Sequence, residues 1–239
     1  MSSRPEPRFA RVATVIGDPT RARMLAALMG GEYLAAGELA HAAGVTPQTA
    51  TAHIAQLVDA GLVELRRQGR HRYVRLADAE VARTLESLAL VAERRADRTK
   101  WEHGAYKPLK AARTCYDHIA GELGVALFDG LLARGTLVAH ASGYALSEEG
   151  RSQWRALGLE PDARASSRAR EAYACLDWSE RRDHLGGRLA AQLLAHGLER
   201  CWLRRVQGSR ALELLPAGRD ALAPWLHAAN AAQLTSQSS

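Results

Sequence analysis

Apolar residues recur at helical spacing between positions 47 and 58, at Ala50, Ile54, Leu57 and Val58. This predicts an amphipathic helix with those four side chains turned to a core. Thr46 is a good N-cap residue and Pro47 suits the first helical position. At about 100° per residue the opposite face carries Gln48, Thr49, Ala52, Ala55 and Gln56, flanked by Thr51 and His53. After Gly61 the period changes from helical to alternating. Arg70 and Arg72 alternate with His71 and Tyr73, which predicts a strand with two distinct faces, and Gln68-Gly69 predicts the turn before it. Residues 36–76 thus read as two short helices, a glycine stop and a basic hairpin in unbroken succession. That is the layout of a winged helix.

A second pattern lies further along. Cys115-Tyr116-Asp117-His118-Ile119-Ala120-Gly121 and the apolar helix after it recur as Asp183-His184-Leu185-Gly186-Gly187 and another apolar helix. Each copy then predicts two strands closing on Leu-x-x-x-Gly-Arg, at Leu146 to Arg151 and at Leu214 to Arg219. Residues 109–230 therefore read as two degenerate winged-helix-like units, over about 109–158 and 170–230. The charged stretch before Pro108 marks a linker over 96–108, after a first domain over 1–95, and residues 231–239 read as a disordered tail. The fold class expected is mainly α with small β-hairpins (α+β).

Charge placement then gives the first domain a partner. The exposed face of the predicted helix is small, polar and almost uncharged, which suits entry into a DNA major groove, where Gln can pair with adenine edges and Thr methyls can meet thymine. Five arginines fall within residues 66–75, and arginines at a hairpin tip reach backbone phosphate or the minor groove. The expected DNA contacts are Thr46, Gln48, Thr49, Thr51, His53, Gln56, Arg67, Arg70 and Arg72. A formal net charge of +6 agrees with an anionic partner.

The segment Gly17-Asp18-Pro19-Thr20-Arg21-Ala22-Arg23-Met24-Leu25, then Glu38-Leu39-Ala40, Thr46 to His53, and Asp59-Ala60-Gly61-Leu62-Val63 resemble the ArsR-type winged-helix repressors. The likeness covers about residues 8–95. It implies a homodimer, joined through the first and last helices of that segment, that binds a palindromic operator and lets go when an effector binds. The chain departs from the family at its two usual metal sites. Residues 32–38 hold no thiol and residues 78–88 no histidine. Position 52 is alanine where the family usually has arginine, so DNA affinity is expected to lean on the wing.

An effector is therefore expected in the C-terminal domain. The two copies carry Cys115, Asp117, His118 and Cys175, Asp177 or Asp183, His184 at what read as equivalent helix starts. Were these to face each other, Cys115, His118, Cys175 and His184 would form a four-ligand N/S set suited to zinc or another transition metal. Two other readings stand beside it: oxidation of Cys115 and Cys175, and an organic ligand walled by Tyr116, Trp178 and Trp202 with Arg181 or Arg182 meeting its acidic group. A structural role for the histidines, capping helices or binding buried backbone, is the bland reading and stands ahead of each of these. Cys201 reads as a buried structural thiol.

Composition excludes more than it identifies. There is no run of eighteen apolar residues and no signal-peptide core at the start, so a cytoplasmic protein away from membranes is expected. Three cysteines cannot form a disulfide framework. No nucleotide-binding glycine motif, phosphate loop or nucleophile elbow is present, which argues against an enzyme. The alternative function is an architectural protein that coats DNA and senses nothing.

Overall fold

The computed structural model describes residues 7–69, 71–94, 106–160 and 170–236. The chain divides into two compact units, Met1–Leu85 and Glu86–Ser239. The division falls ahead of the linker expected at 96–108, most of which lies outside the described residues.

The first unit contains α1 (Arg8–Ile16), α2 (Pro19–Leu28), β1 (Leu34–Ala35), α3 (Ala36–Ala43), α4 (Pro47–Asp59), β2 (Val63–Gln68) and β3 (His71–Leu76), and it includes the start of α5 (Ala79–Ala92). Local chemistry sets the helix ends. The Asp18 carboxylate accepts from Arg21 N at 2.9 Å and opens α2, with Pro19 in the first turn. Thr46 Oγ1 accepts from Thr49 N at 3.2 Å and opens α4. Between them α3 stops at Gly44, whose φ of 69° is a left-handed cap that glycine adopts without strain. The three-stranded sheet has the order β1-β3-β2. Its apolar residues join α2, α3 and α4 in a core that includes Met24, Leu25, Leu28, Leu39, Ala50, Ile54, Leu57, Val74 and Leu76.

Two local expectations are corrected. Val58 is 37% exposed and lines a groove between α4 and the wing with Ala55, Leu65, Arg67 and Arg72. Ala50, Ile54 and Leu57 already fill the buried stripe, and the next residue is turned about 100° away from it. In the wing, Gln68 pairs with His71, so Gln68 is the last residue of β2 and the turn begins after it, not at Gln68-Gly69. Gly69 supplies the φ of 58° that a two-residue hairpin loop needs.

The second unit takes in the rest of α5 and begins its own elements with α6 (Tyr106–Ala111). It then runs β4 (Arg113–Cys115), β5 (His118–Ala120), α7 (Gly121–Ala133), β6 (Leu137–His140), β7 (Gly143–Leu146) and α8 (Glu148–Ala156). The same order returns as β8 (Tyr173–Leu176), β9 (Asp183–Gly186), α9 (Arg188–Glu199), β10 (Leu203–Arg205), β11 (Leu212–Leu214) and α10 (Pro216–Ser236). Each half is a hairpin, a helix, a second hairpin and a second helix. A helix followed by one hairpin was expected, so the leading hairpin is the addition. The glycines of the Leu-x-x-x-Gly motif have one job in both halves. A Cβ on Gly150 would stand 2.1 Å from Thr136 O, and one on Gly218 would stand 2.4 Å from Trp202 O. Those same carbonyls accept from Ser147 N at 3.1 Å and from Leu215 N at 2.9 Å.

One continuous core joins the halves through Leu123, Leu127, Leu131, Leu189, Leu193, Leu222 and Trp225, among others. At Gly130 a Cβ would fall 1.9 Å from Trp225 O, so α10 lies directly on α7. The helix α10 continues to Ser236, past the limit at residue 230 expected from sequence. Cys201 is exposed, not buried, at a φ of 54° just after α9.

Candidate functional site

Two places carry candidate chemistry, one in each unit. On α4, Gln48, Thr49, Thr51, Ala52, Ala55 and Gln56 are exposed along one face, and His53 is half-buried. Their side chains are not equally free. Thr46 Oγ1 and Thr49 Oγ1 hydrogen-bond each other at 2.9 Å, and Thr51 Oγ1 donates to Pro47 O at 2.9 Å. Gln56 accepts from Arg21, whose guanidinium also donates to Val15 O at 2.6 Å and Thr14 O at 3.2 Å. His53 Nδ1 lies 3.8 Å from the Asp18 carboxylate. Gln48 is the polar residue on this face with its amide committed to nothing among the described residues.

The wing divides into an anchored base and an open end. At the base Glu64 pairs with Arg75 across the strands at 2.7 Å, the Tyr33 hydroxyl donates to the same carboxylate, and Arg75 lies over the Tyr33 ring at 4.7 Å. The tyrosine hydrogen bond lowers the Glu64 pKa. Toward the tip Arg67 and Arg72 are directly opposite each other and exposed, with no ion-pair partner among the described residues. Arg70 lies outside the described residues.

In the second unit the paired hairpins bring Cys115, His118, Cys175 and His184 together, all buried, with their four ligand atoms within 4.8 Å of one another. These residues were expected at helix starts. Instead each cysteine faces its histidine across a hairpin, Cys115 opposite His118 and Cys175 opposite His184. The first hairpin closes in two residues, which puts Tyr116 at a φ of 60°. The second holds a loop over 177–182. Antiparallel pairing thus makes the unequal sequence gaps equivalent in space. The imidazoles are stacked with centroids 5.1 Å apart, and their Nε2 atoms are 3.1 Å apart.

Charge in this cluster is set by its neighbours. Burial disfavours the His118 imidazolium, but Asp117 and the Cys175 sulfur outweigh it and raise the pKa to about 9. Cys175 is drawn far down as a thiolate, first by the Cys115 thiol and, against burial, by His118 and His184. Cys115 is pushed well up by the same sulfur contact and by burial.

Beneath the cluster lies a buried network. Asp177 Oδ1 accepts from Arg113 Nη2 at 2.7 Å, Ser179 Oγ at 2.8 Å, Ser179 N at 2.9 Å and Glu180 N at 3.1 Å, while Oδ2 accepts from Gly121 N at 2.7 Å. Burial works against this carboxylate, yet Arg113 and the Gly121 N–H hold it far below the usual range. Arg113 lies over the Trp178 ring at 4.3 Å and donates to Leu109 O and Ser179 Oγ, each at 3.0 Å. On the other side Arg210 Nη1 meets the buried Glu86 at 2.6 Å and Thr114 O at 3.3 Å, next to Cys115.

Of the two aspartates left open by the sequence, Asp177 is the interior one and Asp183 is exposed. Arg113, Ser179 and Gly121 were missed. An arginine between two alanines and a threonine was the available signal for a buried charge. The groups expected around an organic ligand are engaged elsewhere: Trp178 is buried under Arg113, Trp202 meets His196 edge-on, Arg181 donates to Glu93 O at 3.0 Å, and Arg182 bonds Asp129.

A capped α4 before a basic, tip-exposed hairpin defines a winged-helix DNA-binding protein. A helix-turn-helix domain family model matches residues 16–66. The HTH-type transcriptional regulator YdfF of Bacillus subtilis, itself uncharacterized, is 37% identical over 215 residues, 90% of this chain and 95% of that relative. The regulator CmtR of Mycobacterium bovis is 37% identical over 86 residues, 36% of this chain and 72% of CmtR. Among solved structures, fragment 1–100 of a possible transcriptional regulatory protein from Mycobacterium bovis is 34% identical, covering 36% of this chain and 91% of that one, with a TM-score of 0.34. The chain belongs to the HTH-type transcriptional regulators, and it carries a second unit beyond the DNA-binding one. These relatives are named as regulators and not as enzymes, and no helix among the described residues is long and apolar enough to cross a membrane.

Proposed function

We propose that this protein is a homodimeric repressor that holds its operator through α4 and the wing, and releases it when a transition-metal ion binds Cys115, His118, Cys175 and His184. One observation carries the sensing half: four buried N and S ligand atoms within 4.8 Å of one another. Tetrahedral zinc, with Zn–N of about 2.0–2.1 Å and Zn–S of about 2.3 Å, has N···N edges of roughly 3.3 Å and S···S edges of roughly 3.8 Å. The observed Nε2–Nε2 separation of 3.1 Å is close to the first of these. Two imidazoles and two sulfurs suit zinc or an ion of similar softness and not magnesium or calcium. Four protein ligands leave no position for a reacting water, so a bound ion here would act on shape and not in catalysis.

A solved structure of CmtR from Mycobacterium tuberculosis is described as that of a cadmium metal-sensor, which supports metal sensing as a use of this family. The metal chemistry proposed here rests on this chain's own cluster. Dimer formation is supported by the exposed apolar residues Phe9 on α1, 74% exposed, and Leu88 and Val91 on α5, 46% and 55% exposed.

The test is fluorescence anisotropy on the duplex upstream of the coding region and on a scrambled duplex, with and without zinc. Zinc is expected to release the upstream duplex from the wild type and not from Cys115→Ser/Cys175→Ser. Release that survives in the variant, or no release at all, overturns the metal reading. Equal affinity for both duplexes would favour an architectural DNA-coating protein. The contact between the Cys115 and Cys175 sulfurs favours thiol oxidation as the second reading. His118→Asn/His184→Asn separates the two, because it removes half the metal ligands and leaves both thiols.

A further inference from the structure

The two histidines of the cluster do not have the same surroundings, and the difference lies on their outward nitrogens. His118 Nδ1 is 3.0 Å from Asp117 Oδ1. Among the described residues His184 Nδ1, fully buried, has no hydrogen-bond partner, and Asp177 Oδ2 is 3.6 Å away. Both Nε2 atoms point at each other and into the cluster. A histidine that donates Nδ1–H to a carboxylate is fixed in the tautomer whose Nε2 lone pair is free for a metal, and its ring orientation is fixed as well.

We infer that Asp117 and Asp177 are positioning residues for the metal site, each holding one imidazole so that both histidines bind the ion through Nε2. This rests on the metal reading above. The two carboxylates do the task differently. Asp117 is half-exposed in the two-residue turn of the first hairpin, where its carboxylate does nothing else that the structure records. Asp177 is buried and immobilised: four hydrogen bonds occupy Oδ1, and only Gly121 N is on Oδ2. Oδ2 therefore keeps acceptor capacity on the side of His184. A closure of about 0.6 Å would turn the 3.6 Å approach into an ordinary hydrogen bond, and an ion drawing the His184 ring to a defined place supplies a cause. Because Arg113 and Gly121 come from the first half of the unit and Asp177 from the second, the carboxylate that would orient His184 also ties the halves together.

The experiment uses the full-length protein. Cobalt(II) titration followed by absorbance reports tetrahedral coordination and thiolate ligation, and competition with a chelator gives the affinity. Wild type is expected to show both signals. Asp117→Asn is expected to keep the band positions, lower the affinity about 10–100-fold, and leave the metal-free protein folded, as read by circular dichroism. Asp177→Asn is expected to lose affinity by at least as much, but it disturbs a buried network. For that reason the His184 assignment is also read in unaltered protein, from ring-nitrogen NMR of the zinc-loaded form. Both histidines should show a protonated Nδ1 and a metal-bound Nε2. Nδ1 coordination at either histidine, or wild-type affinity in Asp117→Asn, overturns the inference. A wild-type chain that binds no cobalt at all instead removes the metal reading beneath it.

Discussion

Arg67 and Arg72 stand opposite each other at the open end of the wing. Like charges in direct cross-strand register are unfavourable by some tenths of a kcal/mol to about 1 kcal/mol, so this arrangement is held against its own repulsion, which a DNA phosphate between the two would relieve. Changing either to Ala is expected to weaken binding to every DNA sequence and to lower the salt slope of log K by about one contact. Titrations at several salt concentrations check this, and an unchanged slope would show that the wing stays off the backbone. Gln48, whose amide is uncommitted, should behave differently. Gln48→Ala is expected to reduce discrimination between operator and single-base variants by about 1–3 kcal/mol, with little effect on scrambled DNA. Asp177 carries a different load. With Asp177→Ala, Arg113 keeps its charge in the interior without its carboxylate, at a cost of about 3–5 kcal/mol, measurable by urea unfolding of the metal-free protein. The two wing arginines were legible as a basic run. Asp177 was legible only as one of two candidates, because the choice between it and Asp183 depends on which one meets Arg113, 64 residues away.

The helices of the first unit follow from their neighbours in the chain. Thr46, Pro47 and the Ala50, Ile54, Leu57 stripe specify α4 within a dozen residues, and the same is true of Asp18 and Pro19 for α2. Val58 and the wing turn each lie a single position away from where periodicity puts them, since one residue is 100° on a helix and the opposite face on a strand. The repeated Leu-x-x-x-Gly of the second unit was visible as a pattern, yet the reason for the glycine is a close approach that only the folded chain has. Gly150→Ala and Gly218→Ala each place a methyl group within 2.4 Å of a backbone carbonyl. Both substitutions are expected to destabilise by about 1–3 kcal/mol or more. Thermal melts of the two variants check this, and a wild-type melting temperature for one of them would show that the halves do not use the glycine alike. The leading hairpins were not read as strands. Three-residue strands such as β4 and β5 carry too little alternation to show a period.

A single ion held by both halves of the second unit would couple metal binding to folding, since the ligands are scattered in the unfolded chain. At a free ion concentration one hundred times Kd the folded state gains about 2.7 kcal/mol. Zinc is therefore expected to raise the melting temperature of the wild type, a chelator to reverse the rise, and Cys115→Ser/Cys175→Ser to abolish it. A rise that persists in the double variant would place the ion elsewhere. By itself the sequence determined the winged helix and the family, and pointed to an internal repeat and four candidate ligands, because each is written in short-range spacing or in a local run of charge. Only the tertiary structure decided that Cys115 and His118 meet Cys175 and His184, that Asp177 and not Asp183 lies beneath them, and that Cys201 is at the surface. The first two outcomes depend on how two hairpins whose cysteines are 60 residues apart are brought together by a shared core, and local periodicity contains no information about that meeting.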